Sequence, residues 1–245
     1  MLRVLRTEDN TGVFVVGDYE DLYSLREAIS NIIGDKTDYK GYEYVNAVIQ
    51  RFCYELIHAY RAERESFMTN FDTPSYKFPV LFPEIIFIVN ALNDYIIMSD
   101  TDDFYINKSS NVSDAIRENV KEKKYIERAY IKFFQASVWN AVNEFVGESA
   151  FDEIKPMRDY EQICREGKLR YDDYCKDWID LLNIRFINCE SSRDEYLIEI
   201  IKKLSKRDDE YYSKENAMKE HAKDGNISLF LNLLAELNYP DEWDW

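Results

Sequence analysis

This 245-residue sequence predicts an α+β protein that is mainly α-helical. A short N-terminal β-hairpin packs on a helical bundle, and a helical C-terminal portion comes after it. Three observations lead there. The chain holds only 7 Gly and 5 Pro, well below ordinary usage, which favours long regular elements over a loop-rich sandwich. Apolar residues make up 46% and aromatic residues 15%, enough for a sizeable core despite 32% charged side chains. The β-leaning runs cluster near the start, whereas most of the remaining chain repeats apolar residues every three to four positions.

Leu2–Thr7 and Val13–Val16 read as two short strands joined by a loop ending at Gly12. Asp18 then starts a helix, with Asp21 placing acid in its positive first turn, and Gly34 ends it. Its apolar face is Leu22, Leu25, Ala28, Ile29 and Ile32. A second helix is expected from Tyr42 to Glu65, with Val45, Val48, Ile49, Phe52, Leu56 and Tyr60 inward. Tyr76–Phe82 reads as one more strand, a third partner for the hairpin, and Pro83-Glu84 opens a helix to Met98 that is apolar nearly all round. Asp100–Ser113 is polar and reads as a loop. Lys124–Val146 forms an amphipathic helix with Ile126, Tyr130, Phe133, Phe134, Val138, Ala141, Val142 and Phe145 on one face, stopped by Gly147. Past a soft boundary near residue 158, helices are expected at 159–165, 171–189, 192–206 and 214–236. Ser192 and Glu195 have the capping-box spacing. The organisation is thus a hairpin plus helical core over 1–158 and an acidic helical region over 159–245.

The net charge of −16 repels phosphate backbones and anionic lipid, so neither direct nucleic-acid binding nor membrane binding is expected. The charge leaves room for a basic protein partner. The four cysteines contain no C-x-x-C pair, and free buried thiols in a cytoplasmic protein are the expectation. Phe78–Met98 is the most hydrophobic window, but Glu84, Asn90, Asn93 and Asp94 interrupt it, which suits a core helix better than a membrane span.

Gly12-Val-Phe-Val-Val-Gly17 has the glycine spacing of a phosphate-binding loop and none of its chemistry. The intervening residues favour a strand, and Asp18 stands where a lysine would meet phosphate. Glu55-Leu-Ile-His58 puts a carboxylate and an imidazole one helical turn apart, as a carboxylate-bridged metal site requires. A second such motif is absent, and Arg51, Glu55 and His58 fall opposite the core stripe, where an Arg51–Glu55 pair is expected. Asn90, Asn93 and Asp94 either hydrogen-bond within the core or line a pocket. Asp173, Asp177 and Asp180 share one helix face, opposite Trp178, Leu182 and Phe186, and form either a hydrated surface or one that docks a basic partner. The terminal Asn-Tyr-Pro-Asp-Glu-Trp243-Asp-Trp245 either docks elsewhere or folds Trp243 and Trp245 back onto its own domain. No nucleophile motif such as G-x-S-x-G occurs.

The hairpin, the Gly17-Asp18-Tyr19 turn and the Leu81-Phe-Pro-Glu-Ile-Ile-Phe-Ile-Val-Asn-Ala-Leu-Asn-Asp-Tyr95 helix resemble an uncharacterised bacterial family, over about residues 1–150. The resemblance implies a cytoplasmic α+β domain and no particular activity. The residues themselves point to a non-catalytic, acidic protein-interaction or regulatory module with no cofactor. Two alternatives stand beside it: a carboxylate or metal-dependent enzyme using Glu55 and His58 or the Asn90–Asp94 region, and an acidic decoy that imitates nucleic acid.

Overall fold

In the computed structural model, the described residues are 1–69, 73–106, 114–154, 175–189, 192–205, 209–213, 215–216 and 245. The first two strands form as their alternation requires. β1 (Arg3–Arg6) pairs antiparallel with β2 (Gly12–Gly17), in a register that sets Val4 against Val15. Asn10 takes φ 56° in the turn, and the buried Thr7 closes it: Thr7 N donates to Gly12 O and Gly12 N to Thr7 Oγ1, both at 3.0 Å. Asp18 then caps α1 (Tyr19–Ile33). Its side chain accepts from Asp21 N at 2.9 Å while Asp21 accepts from Asp18 N, so two orphan donors are satisfied reciprocally. Gly34, at φ 60°, ends the helix. The phosphate-loop spacing is therefore a strand running into a capped helix.

α2 (Glu43–Tyr60) stops five residues short of the expected end, because Ala62 turns to φ 59° and the chain reverses. The reversed chain forms β3 (Glu65–Met68), a strand missing from the sequence reading. It is exposed at every position, so it shows no buried alternation to betray it. β3 pairs with the first half of β4 (Pro74–Leu81), and β4 pairs along most of its length with β2. The sheet order is β1-β2-β4-β3, antiparallel throughout. Val4, Val13, Val15, Phe78 and Val80 join its strands to the core.

α3 (Phe82–Ile106) leaves β4 directly, Phe82 N donating to Thr11 O at 3.2 Å. Ile85 to Val89, Ala91, Leu92 and Tyr95 are fully buried, which makes this the central helix of the core. Phe82–Ser99 has the length and apolarity of a membrane span, yet 78% of it is buried inside the fold. The helix continues through residues expected to form a loop. Residues 100–103 are polar, but 100–106 hold no Gly or Pro, and polarity alone does not break a helical backbone. α4 (Asp114–Val146) likewise begins ten residues earlier than its apolar pattern.

On α4 the inward face agrees with the predicted one in its C-terminal part and departs from it in its N-terminal part. Ile131, Phe134, Val138, Ala141 and Val142 are fully buried, whereas Ile126, Tyr130 and Phe133 face outward. The apolar residues cover more than half the helix circumference, and the neighbours α1 and β1 select the side that packs. Gly147, at φ 83°, ends α4 as expected, but its carbonyl accepts from Phe151 N and starts a short helix α5 (Glu148–Ile154).

α6 (Cys175–Ile187) and α7 (Arg193–Ser205) lie within the ranges the periodicity predicts. Ser192 has φ 61°, not the extended backbone of a side-chain N-cap. The helices expected at 159–165 and 214–236 lie outside the described residues, apart from 215–216. Phe186 meets Phe82 edge-on at 6.2 Å, and Arg193 Nη1 donates to Asp9 O at 2.6 Å, which ties α7 to the hairpin loop. One hydrophobic cluster runs from Leu2 through Phe186 to Tyr211.

Cys53 and Cys189 are free thiols. Burial pushes the Cys53 thiol up to about 11, against the smaller opposing influence of Ser30 and Arg26. At neutral pH it is a packed apolar side chain and not a nucleophile.

Candidate functional site

β4 outlasts β3 by four residues, and this mismatch shapes a cleft. β3 covers β4 only from Pro74 to Lys77, leaving Phe78–Leu81 without a strand neighbour on that edge among the described residues. Pro79 has no N–H to leave unpaired there. α2 approaches from one side with Arg51, Phe52 and Glu55, and α3 contributes Glu84 from its first turn. Asp180 of α6 and Trp245 close the far side. The cavity measures about 570 Å³, with Phe52, Pro79, Val80 and Leu81 as its apolar floor and three carboxylates around one guanidinium at its rim.

The charges are held in place by partners distant in sequence. Arg51 Nη2 donates to Glu84 Oε1 at 2.7 Å, so the expected Arg51–Glu55 pair is replaced by one across 33 residues. Glu55 is gripped instead by Arg64, whose Nε and Nη2 donate to its two carboxylate oxygens at 2.8 and 3.0 Å. Those hydrogen bonds hold the Arg64 pKa above its ordinary value. The turn at Ala62 brings Arg64 back beside the helix that precedes it, which no i,i+4 rule anticipates.

His58 is bonded through Nδ1 to Glu63 at 2.5 Å, and that bond holds the Glu63 carboxyl below its ordinary range. Glu55 and His58 thus engage different partners rather than converging on one point. Among the described residues, no group of three or more His, Cys, Asp or Glu side chains is arranged to hold a metal ion.

The polar residues of α3 lie elsewhere. Asn93 Oδ1 accepts from Lys132 Nζ at 2.9 Å and from Gln135 Nε2 at 3.1 Å, joining α3 to α4. Asp94 is fully buried and accepts from Tyr42 Oη at 2.7 Å. The 570 Å³ cleft does not reach these residues, nor does a second cavity of about 660 Å³ beside Met1, Gly17 and Phe67. Asn90 is 1% exposed, and neither atom of its amide finds a hydrogen-bond partner among the described residues. Replacing an unpaired buried amide by a hydrocarbon of similar size removes a desolvation cost. Asn90→Leu is therefore expected to raise stability by about 1 kcal/mol, read as a rise of about 2–4 °C in Tm. An unchanged or lower Tm by differential scanning calorimetry would contradict that account.

Of the residues expected to bind a partner, Asp180 and Trp245 meet in the cleft, together with Glu55 from the expected metal pair. Asp177 lies on α6, and Asp173 and Trp243 lie outside the described residues. Trp245 is folded against its own chain, beside α2 and β4. Sequence reasoning missed the importance of Glu84, which it treated only as a helix-terminus carboxylate, and of Arg64. Nothing in the local spacing links either residue to its partner.

Comparison with curated proteins gives no match, and neither does comparison with solved structures. The resemblance seen in the first 150 residues nevertheless extends past the soft boundary into the C-terminal region. The chain belongs to the family described as a domain of unknown function, DUF6904, which it matches over residues 2–245.

Proposed function

We propose that this protein is a cytosolic, non-catalytic interaction module that takes a cationic side chain of a basic partner into the cleft between α2, β4 and α6. The supporting observation is the composition of that cleft: the three carboxylates of Glu55, Glu84 and Asp180 outnumber the guanidiniums of Arg51 and Arg64 that pair with Glu84 and Glu55, over an apolar floor and beside Trp245. A lysine or arginine entering it exchanges water for carboxylates at the rim and buries its hydrocarbon stem on Phe52 and Val80. The indole adds a face for the cation, worth roughly 0.5–2 kcal/mol depending on how far the pair is desolvated. The net charge of −16 steers such a partner toward the protein and makes the encounter sensitive to salt.

The test is affinity capture from the source cytosol at low and at moderate salt, with wild type and Asp180→Lys run side by side. Asp180 is partly exposed on α6, so its reversal leaves the core intact. A basic protein retained by wild type, weakened by salt and lost with Asp180→Lys is the expected result. Recovery of no reproducible basic partner, or one that the reversal leaves bound, removes the proposal.

A further inference from the structure

α4 carries two apolar stripes, and among the described residues the fold buries only one. Opposite the buried stripe runs a second seam of Ile126, Ala129, Phe133, Ala136 and Asn140, at i, i+3, i+7, i+10 and i+14. That is the a/d spacing of a two-helix contact. Ile126 is 59% exposed and Phe133 39%, with Tyr125 at 66% and Tyr130 at 40% on their flanks. Single exposed apolar residues are ordinary, but two large ones on a heptad seam and two more on its flanks, all within nine positions, form a patch of the kind that interfaces cover.

We infer that this seam binds a second copy of the chain, the two α4 helices packing antiparallel about a two-fold axis. The seam is complementary to itself in shape and in charge. An antiparallel register sets Phe133 of each copy on Ala136 of the other, so a bulky ring meets a methyl group at both symmetric positions. The helices can then approach within roughly 8–10 Å. The same register places Lys123 of each copy beside Glu144 of the other, at both ends of the contact. Both side chains are exposed, Lys123 at 69%. In a parallel arrangement Lys123 of one copy and Glu144 of the other would lie 21 residues apart along the axis, so only the antiparallel one lets these charges pair. Two chains of charge −16 repel at long range, but at moderate salt that repulsion is screened beyond about 8 Å while the contact pairs remain.

Light scattering on the eluting full chain, over a concentration series at moderate salt, reads the result. The expected mass rises toward twice the 29.2 kDa of one chain. Phe133→Glu and Ile126→Glu should each return it to one chain with an unchanged helical circular-dichroism signal, because neither side chain belongs to the buried core. K123E and E144K should each weaken association by about tenfold, since each turns two attractive pairs into repulsive ones. An equimolar mixture of K123E and E144K should restore the wild-type mass, because the mixed dimer no longer sets like charges against each other at both ends. A purely local effect on the Lys123–Glu127 pair within one chain would not be relieved by mixing. A wild type that stays monomeric at every concentration overturns the inference. So does a dimer that survives Phe133→Glu, or a mixture that fails to recover.

Discussion

Gly12→Ala is expected to be among the most damaging single-methyl changes in the protein, costing about 3 kcal/mol or more. Gly12 sits in the β2–β4 ladder opposite Leu81. A Cβ there would collide with the Val80 carbonyl oxygen and lie only 2.8 Å from Val80 C and 3.0 Å from Leu81 Cα. All three atoms are backbone, so no rotamer change relieves the contact, and the strands must separate at the point where the hairpin joins the sheet. The expected shift in Tm is about 6–12 °C downward. Gly41→Ala is the control, because Gly41 has φ 86° with nothing within 4 Å of the added carbon. Its cost is conformational only, about 1–2 kcal/mol. If thermal melts place Gly12→Ala above Gly41→Ala in stability, the close approach of β4 is not what requires glycine at position 12.

Tyr42→Phe comes second, at about 1.5–3 kcal/mol. Its hydroxyl donates at 2.7 Å to Asp94, a carboxyl group with no exposure on the central helix. Removing the hydroxyl leaves the ring packed edge-on against Tyr95 at 5.6 Å, so the loss reports the hydrogen bond rather than a cavity. Tyr95→Phe provides the contrast. Its hydroxyl donates to the Tyr42 carbonyl at a longer 3.4 Å, and its loss should cost less than about 1 kcal/mol. Chemical denaturation of both variants, compared at equal m-value, checks the order. Equal losses would mean that the contact with Asp94 carries no special weight.

These two residues also show where sequence reasoning succeeds and where it stops. Gly12 was legible as a turn and strand-entry glycine, and Asp18 with Asp21 as the start of a helix, because such choices depend on a few neighbouring residues. The central helix was legible for the same reason, since a run that is apolar all round and interrupted by polar groups belongs in a core. The pairing of Tyr42 with Asp94 was not, because the two lie 52 residues apart and share no local pattern.

β3 and the cleft illustrate the harder case. An exposed edge strand has no period-2 burial to leave in the sequence, so Glu65–Met68 reads like a helix end or a loop. The cleft exists because that strand is shorter than its neighbour, and its charged rim is assembled by Arg51 reaching Glu84 and Arg64 reaching Glu55. The acidic stripe of α6 and the terminal tryptophan were each visible as separate features. Their meeting beside Glu55 comes only from packing α2, β4 and α6 together.

The sequence by itself determined the class of the fold, the hairpin, the capped first helix, the buried third helix and the broad acidity, since these depend on composition or on contacts within a turn or two. Tertiary structure decided which side of α4 faces the core, where the carboxylates of the cleft find their arginines, and that Ile126 and Phe133 stay exposed among the described residues. The physical reason is range. Propensity, capping and periodicity act over a few residues, whereas salt bridges and packing faces are chosen by whichever element arrives from elsewhere in the chain.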